Sequence, residues 1–427
     1  MLSALLFGLF ALLVILSVPI AISIGLATVL AIYFTDVVKL QVVAQKMFTA
    51  VDSFPLMAVP FFMIAGVIME KGGISKRLIR FANSLIGTLP GGLALVAILA
   101  SMFFAAISGS SPATVVAIGS IMIPAMVKNG YKEDFATATQ ASAGYIGVII
   151  PPSIPMITYG VVTGVSIGGL FMGGFIPGIL IGVSLGIVAF LTAKKNNYRG
   201  LEQTISLKEV WTSFKDAIWA ILMPVIILGG IYGGIFTPTE AANIAVVYGL
   251  IIGLFVYKEL SFKDLPALIR QAAISSSLVL LIVSTASAFG LILTREMIPV
   301  TVANFLISIT DNPLFLLMIL NVLLLVVGTF METNAAIIIL APILFPAIVK
   351  VGIDPLHFGI IMVVNLAIGM ITPPLGVNLF VAASMRKMPM EKVVNANWWY
   401  LAASIAALMV ITYFPGLTLW LPSLLSR

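Results

Sequence analysis

Cysteine is missing from all 427 residues, histidine occurs once, and Asp, Glu, Lys and Arg together make up only 9% of the chain. Without thiols, disulfides, Cys-ligated zinc and iron–sulfur clusters are excluded, and nothing follows about compartment. The single histidine, His357, cannot build a metal site alone. There is no His-Glu-x-x-His, and Ser108 has no base in its own polar stretch, so an intramembrane hydrolase lacks its basic parts. A soluble domain carries about 25% charged residues, whereas this chain is 61% hydrophobic. The fold class expected is therefore an all-α polytopic membrane protein. The net charge of +6 does not indicate nucleic acid, because the basic residues are scattered between apolar runs, where they set orientation in a bilayer. The N-terminal apolar run has no basic flank and no small-residue cleavage pattern, and is expected to be a first span, not a signal peptide.

What is present is a repeat. Residues 108–152 recur 222 positions later without insertion or deletion: Ala113/Ala335, Pro124/Pro346, Lys128/Lys350, Gly130/Gly352, Gly147/Gly369, Pro151/Pro373 and Pro152/Pro374 all keep one offset. Both copies put polar and helix-breaking residues inside long apolar runs. An unsatisfied peptide group in lipid costs several kcal/mol, so such breaks survive only where they are buried in protein or line a wet cavity. Paired interruptions in two halves are a pointer to a transporter's binding site.

Along the chain, residues 1–34 read as two short spans about Pro19, 50–69 as a third, and 74–88 as an amphipathic interfacial helix. Residues 91–127 read as a re-entrant hairpin with its tip at Ser108–Pro112, where Pro112 suits the first turn of the returning helix. A broken fourth span (134–162, with Pro151, Pro152 and Pro155) and a fifth (170–193) follow. The plan then repeats: an amphipathic arm at 205–214, spans at 217–234 and 241–257, a second arm at 261–270, a span at 271–293 and an interfacial segment at 298–309. A second hairpin (314–349, tip Glu332–Asn334), a second broken span (356–385) and a last span (397–421) complete it. The corresponding division is 1–88 for scaffold spans, 89–169 for the first hairpin and broken span, 170–310 for scaffold and arms, 311–390 for the second hairpin and broken span, and 391–427 for the final span.

Five net crossings precede the second copy, since a hairpin adds none, and an odd number makes the repeats inverted. Lysine and arginine give an independent check. With residues 70–90 in the cytoplasm, only Lys39, Lys46, Arg295, Lys350 and Arg427 of the 22 basic residues fall outside, which supports that orientation and puts both termini on the outer face.

A hairpin tip offers two helix ends inside the membrane. Carbonyls and hydroxyls at the outgoing end suit a sodium ion, and N–H groups at the incoming end, carrying roughly half a positive charge, suit an anion. One cation site is expected from Ser108, Gly109, Ser110 and Ser111 facing the unwound Ile149, Pro151 and Ser153. Its mirror would use Glu332 and Thr333 facing Gly369, Thr372, Pro373 and Gly376. A substrate carboxylate is expected between the tips, near Pro112, Ala113, Thr114, Ser153, Asn334, Ala335 and Asn378. The plainer alternative, that small residues and prolines only let helices pack closely, accounts for one copy as well as a site does, but not for two in register. Glu332 reads equally as a cation or proton ligand and as a helix cap. Glu240, in Thr-Pro-Thr-Glu-Ala, reads as a capping acid, Asp52 as an interfacial one, and Asn365 as a weaker cavity candidate than Asn378.

These segments resemble the large membrane subunit of tripartite ATP-independent periplasmic (TRAP) transporters. The likeness runs over nearly the whole chain and rests on Asp52-Ser53-Phe54-Pro55-Leu56, Pro60-Phe61-Phe62-Met63-Ile64-Ala65-Gly66, Ser108-Gly109-Ser110, Ile150-Pro151-Pro152-Ser153, Phe236-Thr237-Pro238-Thr239-Glu240-Ala241 and Gly369-Met370-Ile371-Thr372-Pro373-Pro374. The resemblance implies a sodium-driven importer of organic anions in a bacterial inner membrane. It implies an elevator motion of the hairpins and broken spans against a scaffold shared with a small (Q-type) membrane subunit, and delivery by an extracytoplasmic (P-type) binding protein. Met69–Ile74 and Ala106–Thr114 look most similar to sialic-acid members, ahead of C4-dicarboxylate and other carboxylate members. The competing expectation is a stand-alone divalent-anion/sodium symporter.

Overall fold

The structure is a computed structural model and describes residues 2–35, 38–198, 200 and 206–425. Every regular element among the described residues is helical. The first half comprises α1 (Leu2–Ile15), α2 (Ile20–Thr35), α3 (Leu40–Val51), α4 (Ala58–Lys71), α5 (Ile74–Ile86), α6 (Gly92–Ser108), α7 (Ser111–Lys128), α8 (Glu133–Gly144), α9 (Ile154–Thr163) and α10 (Ile167–Lys195). The second comprises α11 (Leu207–Tyr232), α12 (Pro238–Ile251), α13 (Leu265–Arg295), α14 (Ile298–Ile309), α15 (Pro313–Phe330), α16 (Thr333–Lys350), α17 (Pro355–Gly369), α18 (Val377–Arg386) and α19 (Met390–Tyr413), with α20 (Gly416–Leu425) closing the chain. Among the described residues, eight helices are individually long and apolar enough to cross a bilayer, or nine if the bent pair α3 and α4 is one span.

Two expectations need correction. The third span does not begin at residue 50. A separate helix, α3, ends at Val51, and the chain turns by 64° before running on through Pro55 to Lys71. Pro55, with no N–H to give, prevents the helix from passing straight through. The two arms are not separate elements either. Residues 207–223 and 267–289 contain neither glycine nor proline, so each arm runs without a stop into the span after it, making α11 and the 31-residue α13. Ile205, the expected start of the first arm, and Arg427 lie outside the described residues.

The returning hairpin helices keep the repeat's offset. Ser111–Lys128 and Thr333–Lys350 are helices of 18 residues, 222 positions apart. Both Pro-Pro pairs, Pro151-Pro152 and Pro373-Pro374, have cis peptide bonds. Gly130 and Gly352 end the two hairpins with φ of +83° and +80°, which a side chain disfavours.

Contacts among α3, α4, α12 and α13 give the relative sense of the halves. Thr239 donates its hydroxyl to the Phe54 carbonyl at 2.9 Å, and Gly249 lies beside Ile68 and Met69, so α4 and α12 run parallel. Leu268, near the start of α13, clusters with Ile68 near the end of α4, and Ser284, farther along α13, donates to the Met47 carbonyl at 2.9 Å. Thus α4 and α13, which occupy the same place in their repeats, run antiparallel, and the repeats are inverted. The α5 helix buries Ile74, Leu78 and Ala82 and turns Lys76 and Arg80 outward.

Candidate functional site

At the first tip, Gly109 (φ +60°) ends α6, and α7 starts at Ser111 with Pro112 in its first turn. Three oxygens gather there. The Ser108 and Thr114 hydroxyls lie 3.0 Å apart, and Thr114 donates to the Ser110 carbonyl at 2.8 Å. The broken span closes over them, with the Ile154 N–H donating to the Gly109 carbonyl at 3.4 Å. A methyl group at Gly147 would come within 2.5 Å of the Thr114 hydroxyl and 2.7 Å of the Ser110 carbonyl. Ile149, Pro151 and Ser153 are all buried, and Ser153 caps α9 by accepting from the Met156 N–H. Pro112 and Ala113 are half-buried just beyond the tip. Oxygen is the only donor type present, as a hard cation such as sodium requires.

At the second tip Glu332 is half-buried and N-caps α16. One carboxylate oxygen accepts from the Asn334 and Ala335 backbone N–H groups at 2.9 and 3.1 Å, and the other from the Asn334 side-chain amide at 2.9 Å. The cap geometry foreseen as one of its two roles is therefore present, and Glu332 makes no hydrogen bond to the break at 372–376. Thr333 donates weakly to the Leu366 carbonyl (3.5 Å), and Thr372 bonds back to the Ile368 carbonyl of its own helix. Gly369 lies against the Gly328 backbone, where a methyl group would overlap the Gly328 carbonyl. The Leu375 N–H donates to the Thr329 carbonyl at 3.2 Å, tying tip to break as in the first copy. Gly376 (φ +45°) starts α18, Pro373 is half-buried and Pro374 is exposed, so this break is more open than the first.

The tips also reach across the repeats. Ser111 on α7 donates to the Asn378 side-chain carbonyl on α18 at 2.8 Å, and the Asn378 amide donates to the Ala141 carbonyl at 3.0 Å. In the mirrored contact, Thr158 on α9 donates to the Asn334 side-chain carbonyl on α16 at 3.1 Å. The structure thus joins Ser111 to Asn378 and Thr158 to Asn334 across the two repeats. Thr158 escaped the sequence reading, although a hydroxyl between Ile157 and Tyr159 was the signal for it. Gln140 was missed too; it is fully buried and donates to Ser101 (3.2 Å) and to the Thr114 carbonyl (3.4 Å). Asn365 turns away, donating to Asn321 at 2.6 Å, and His357 is buried between Thr418 and the Thr412 carbonyl. Among the described residues no three His, Cys, Asp or Glu side chains cluster to hold a metal. Glu240 forms a capping box with Thr237, as expected, and Asp52 is exposed at the end of α3.

Two cavities flank the hairpins. One, of about 530 Å³, is lined by Lys46, Thr49 and Ser53, by Ser287 of α13, and by Ile338 of α16. The other, of about 540 Å³, lies between α4, α5, α13 and the α7 residues Ala117, Ser120 and Ile121.

Comparison with known proteins agrees with this architecture. Residues 7–417 match the family described as "Tripartite ATP-independent periplasmic transporter, DctM component". The chain is 50% identical, over 97% of its length, to the isethionate TRAP transporter permease protein DctMQ of Oleidesulfovibrio alaskensis, of which it spans 65%. It is 40% identical to the C4-dicarboxylate TRAP transporter large permease protein of Rhodobacter capsulatus, covering 98% of both chains. It is 38% identical to the sialic acid TRAP transporter large permease protein of Vibrio cholerae, covering 95% of both. Among solved structures, the Alcanivorax borkumensis YdaH transporter shares the fold at a TM-score of 0.63 and 18% identity, covering 88% of this chain and 89% of that one. With a hairpin and a broken span in each inverted half, and with likeness along nearly its whole length, the chain belongs to the large permease (DctM) family of TRAP transporters.

Proposed function

We propose that the chain is the transporting subunit of a sodium-coupled importer of a small organic anion. The observation carrying this reading is the pair of tips, each bonded to its own broken span and each reaching the other repeat through Ser111–Asn378 or Thr158–Asn334. Ser108, Ser110 and Thr114 would hold one sodium ion, and the 372–376 break with Thr333 would contribute to a second. The substrate's anionic group would sit at the α7 N-terminus, near Pro112–Thr114, where N–H groups favour negative charge, because Glu332 already takes the Asn334 and Ala335 N–H groups at the α16 start. Hairpins and broken spans would move together as an elevator against α1–α4 and α11–α13, completed by a small membrane subunit. A binding protein would deliver the substrate on the outer face, with residues 70–90 in the cytoplasm of a bacterial inner membrane.

For the substrate, the names carried by the relatives favour isethionate or a C4-dicarboxylate, at 50% and 40% identity, over sialic acid at 38%. Uptake of labelled isethionate, succinate and sialic acid into liposomes holding this chain and both partners, with and without an inward sodium gradient, tests the reading. Uptake indifferent to sodium would refute the coupling. Uptake at full rate without the binding protein would favour the stand-alone symporter.

A further inference from the structure

The α5 helix begins at Gly73 (φ +80°), which offers no capping side chain, and has no acid in its first turn. The carboxylate that sits over this helix start comes from 186 positions away. A methyl group at residue 73 would overlap the Glu259 carboxylate, which is bonded to Lys76 Nζ at 3.3 Å and to Arg77 Nη1 at 2.8 Å. Burial works to raise the Glu259 carboxyl's pKa, but the Arg77 and Lys76 bonds outweigh it and hold it below the usual range, so it is charged at neutral pH. Glu259, Lys76, Lys71 and Glu70 all line the 540 Å³ cavity. So does Ser75, 4% exposed, whose hydroxyl has no partner among the described residues. The far wall is α7, the helix whose first turn carries Pro112, Ala113 and Thr114.

An uncapped helix start, the lining Lys76 with Arg77 behind it, itself also paired with Asp216 at 3.4 Å, and an unpartnered hydroxyl make an anion site, and a side chain of the protein already occupies it. Resting on the transport reading above, we infer that this cavity is the site through which the transported anion leaves toward the cytoplasm, and that Glu259 is its built-in competitor. The departing carboxylate or sulfonate takes the place of Glu259 beside Lys76 and Arg77, and the return of Glu259 expels it. Without the competitor the anion would be retained on the face where it must be released.

Because the chain has no cysteine, Ser120→Cys gives a single reporter thiol on the cavity wall. With the large subunit and its small partner in lipid nanodiscs, the rate of maleimide labelling is measured while isethionate or succinate is titrated at constant ionic strength, with chloride as control. The organic anion is expected to slow labelling. Glu259→Gln should lower the half-protecting concentration by about fivefold and Lys76→Gln should raise it by about the same factor, the scale of a partly exposed ion pair. Lys76 is 70% exposed, so its variant keeps the fold and tests the idea even if Glu259→Gln does not. Protection by neither organic anion, protection no better than chloride's, or a midpoint unmoved in Lys76→Gln would overturn the site. Labelling protection without sodium-driven uptake would remove the transport reading and the exit role with it, leaving an anion site, and uptake without protection would remove this site alone.

Discussion

Replacing Glu332 separates the two roles that its position allows. In Glu332→Ala the α16 start loses the acceptor for two backbone N–H groups, and the nearly buried Asn334 amide loses its own acceptor. An N-cap is worth about 1–2 kcal/mol and a bond to a charged group about 1.5–3 kcal/mol. With the side chain only half-buried, about 3 kcal/mol is expected for the whole change. Glu332→Gln differs because both backbone bonds end on one oxygen, which the amide oxygen replaces. Only the Asn334 amide then meets another N–H group, and rotating it to escape would give up the Thr158 hydroxyl. That costs about 1 kcal/mol, so a cap predicts stability losses of about three to one for Ala over Gln. Thermal unfolding of the purified complex at fixed sodium measures the ratio, and sodium-dependent uptake measures ion affinity. The cap argument also expects Gln to keep near-normal sodium affinity. It fails if Ala is as stable as wild type, or if Gln loses sodium dependence at unchanged stability, which would make the charge a ligand.

Ser111→Ala and Asn378→Ala should each slow uptake and, combined, cost about 1 kcal/mol less stability than the sum of the two, because they share one buried hydrogen bond; strict additivity in a double-mutant cycle would show that the contact is incidental. Gly147→Ala should weaken sodium affinity or uptake about tenfold, since overpacking of roughly 1–3 kcal/mol falls on the Thr114 hydroxyl and Ser110 carbonyl; normal sodium titration would remove these oxygens from the ion's surroundings. Thr237→Ala should lower thermal stability by about 1 kcal/mol through loss of the capping box and leave substrate preference unchanged; a changed preference would mean that the Thr-Pro-Thr-Glu loop touches substrate.

The hairpins and broken spans were legible because their signals are categorical. A proline or glycine inside an apolar run admits few structures in lipid, and a second copy at a fixed offset removes most of those left. The arms were misread for the converse reason. Nothing in residues 207–223 or 267–289 stops a helix, and amphipathic character alone does not say whether a segment lies flat or continues into a span. The 64° turn before α4 was foreshadowed by Pro55 but not its angle, which the surrounding helices set. At the site, residue types gave the tips and the cap, whereas Thr158–Asn334, Ser111–Asn378 and Gln140–Thr114 join positions 176, 267 and 26 apart, and no local pattern encodes which partner each will find.

The pairing of α7 with α18 and of α16 with α9 also bears on how such a chain arises. Each of these contacts is the other's image under the same pseudo-twofold operation, so it has the form of an isologous interface between two identical bodies. A gene for one half, inserted into the bilayer in both senses, would already have brought its hairpin against the broken helix of an upside-down twin. On that view duplication and fusion added a covalent link to an association that already existed, and afterwards let Glu332 and Ser110 diverge at a position where the ancestor had one residue to serve both.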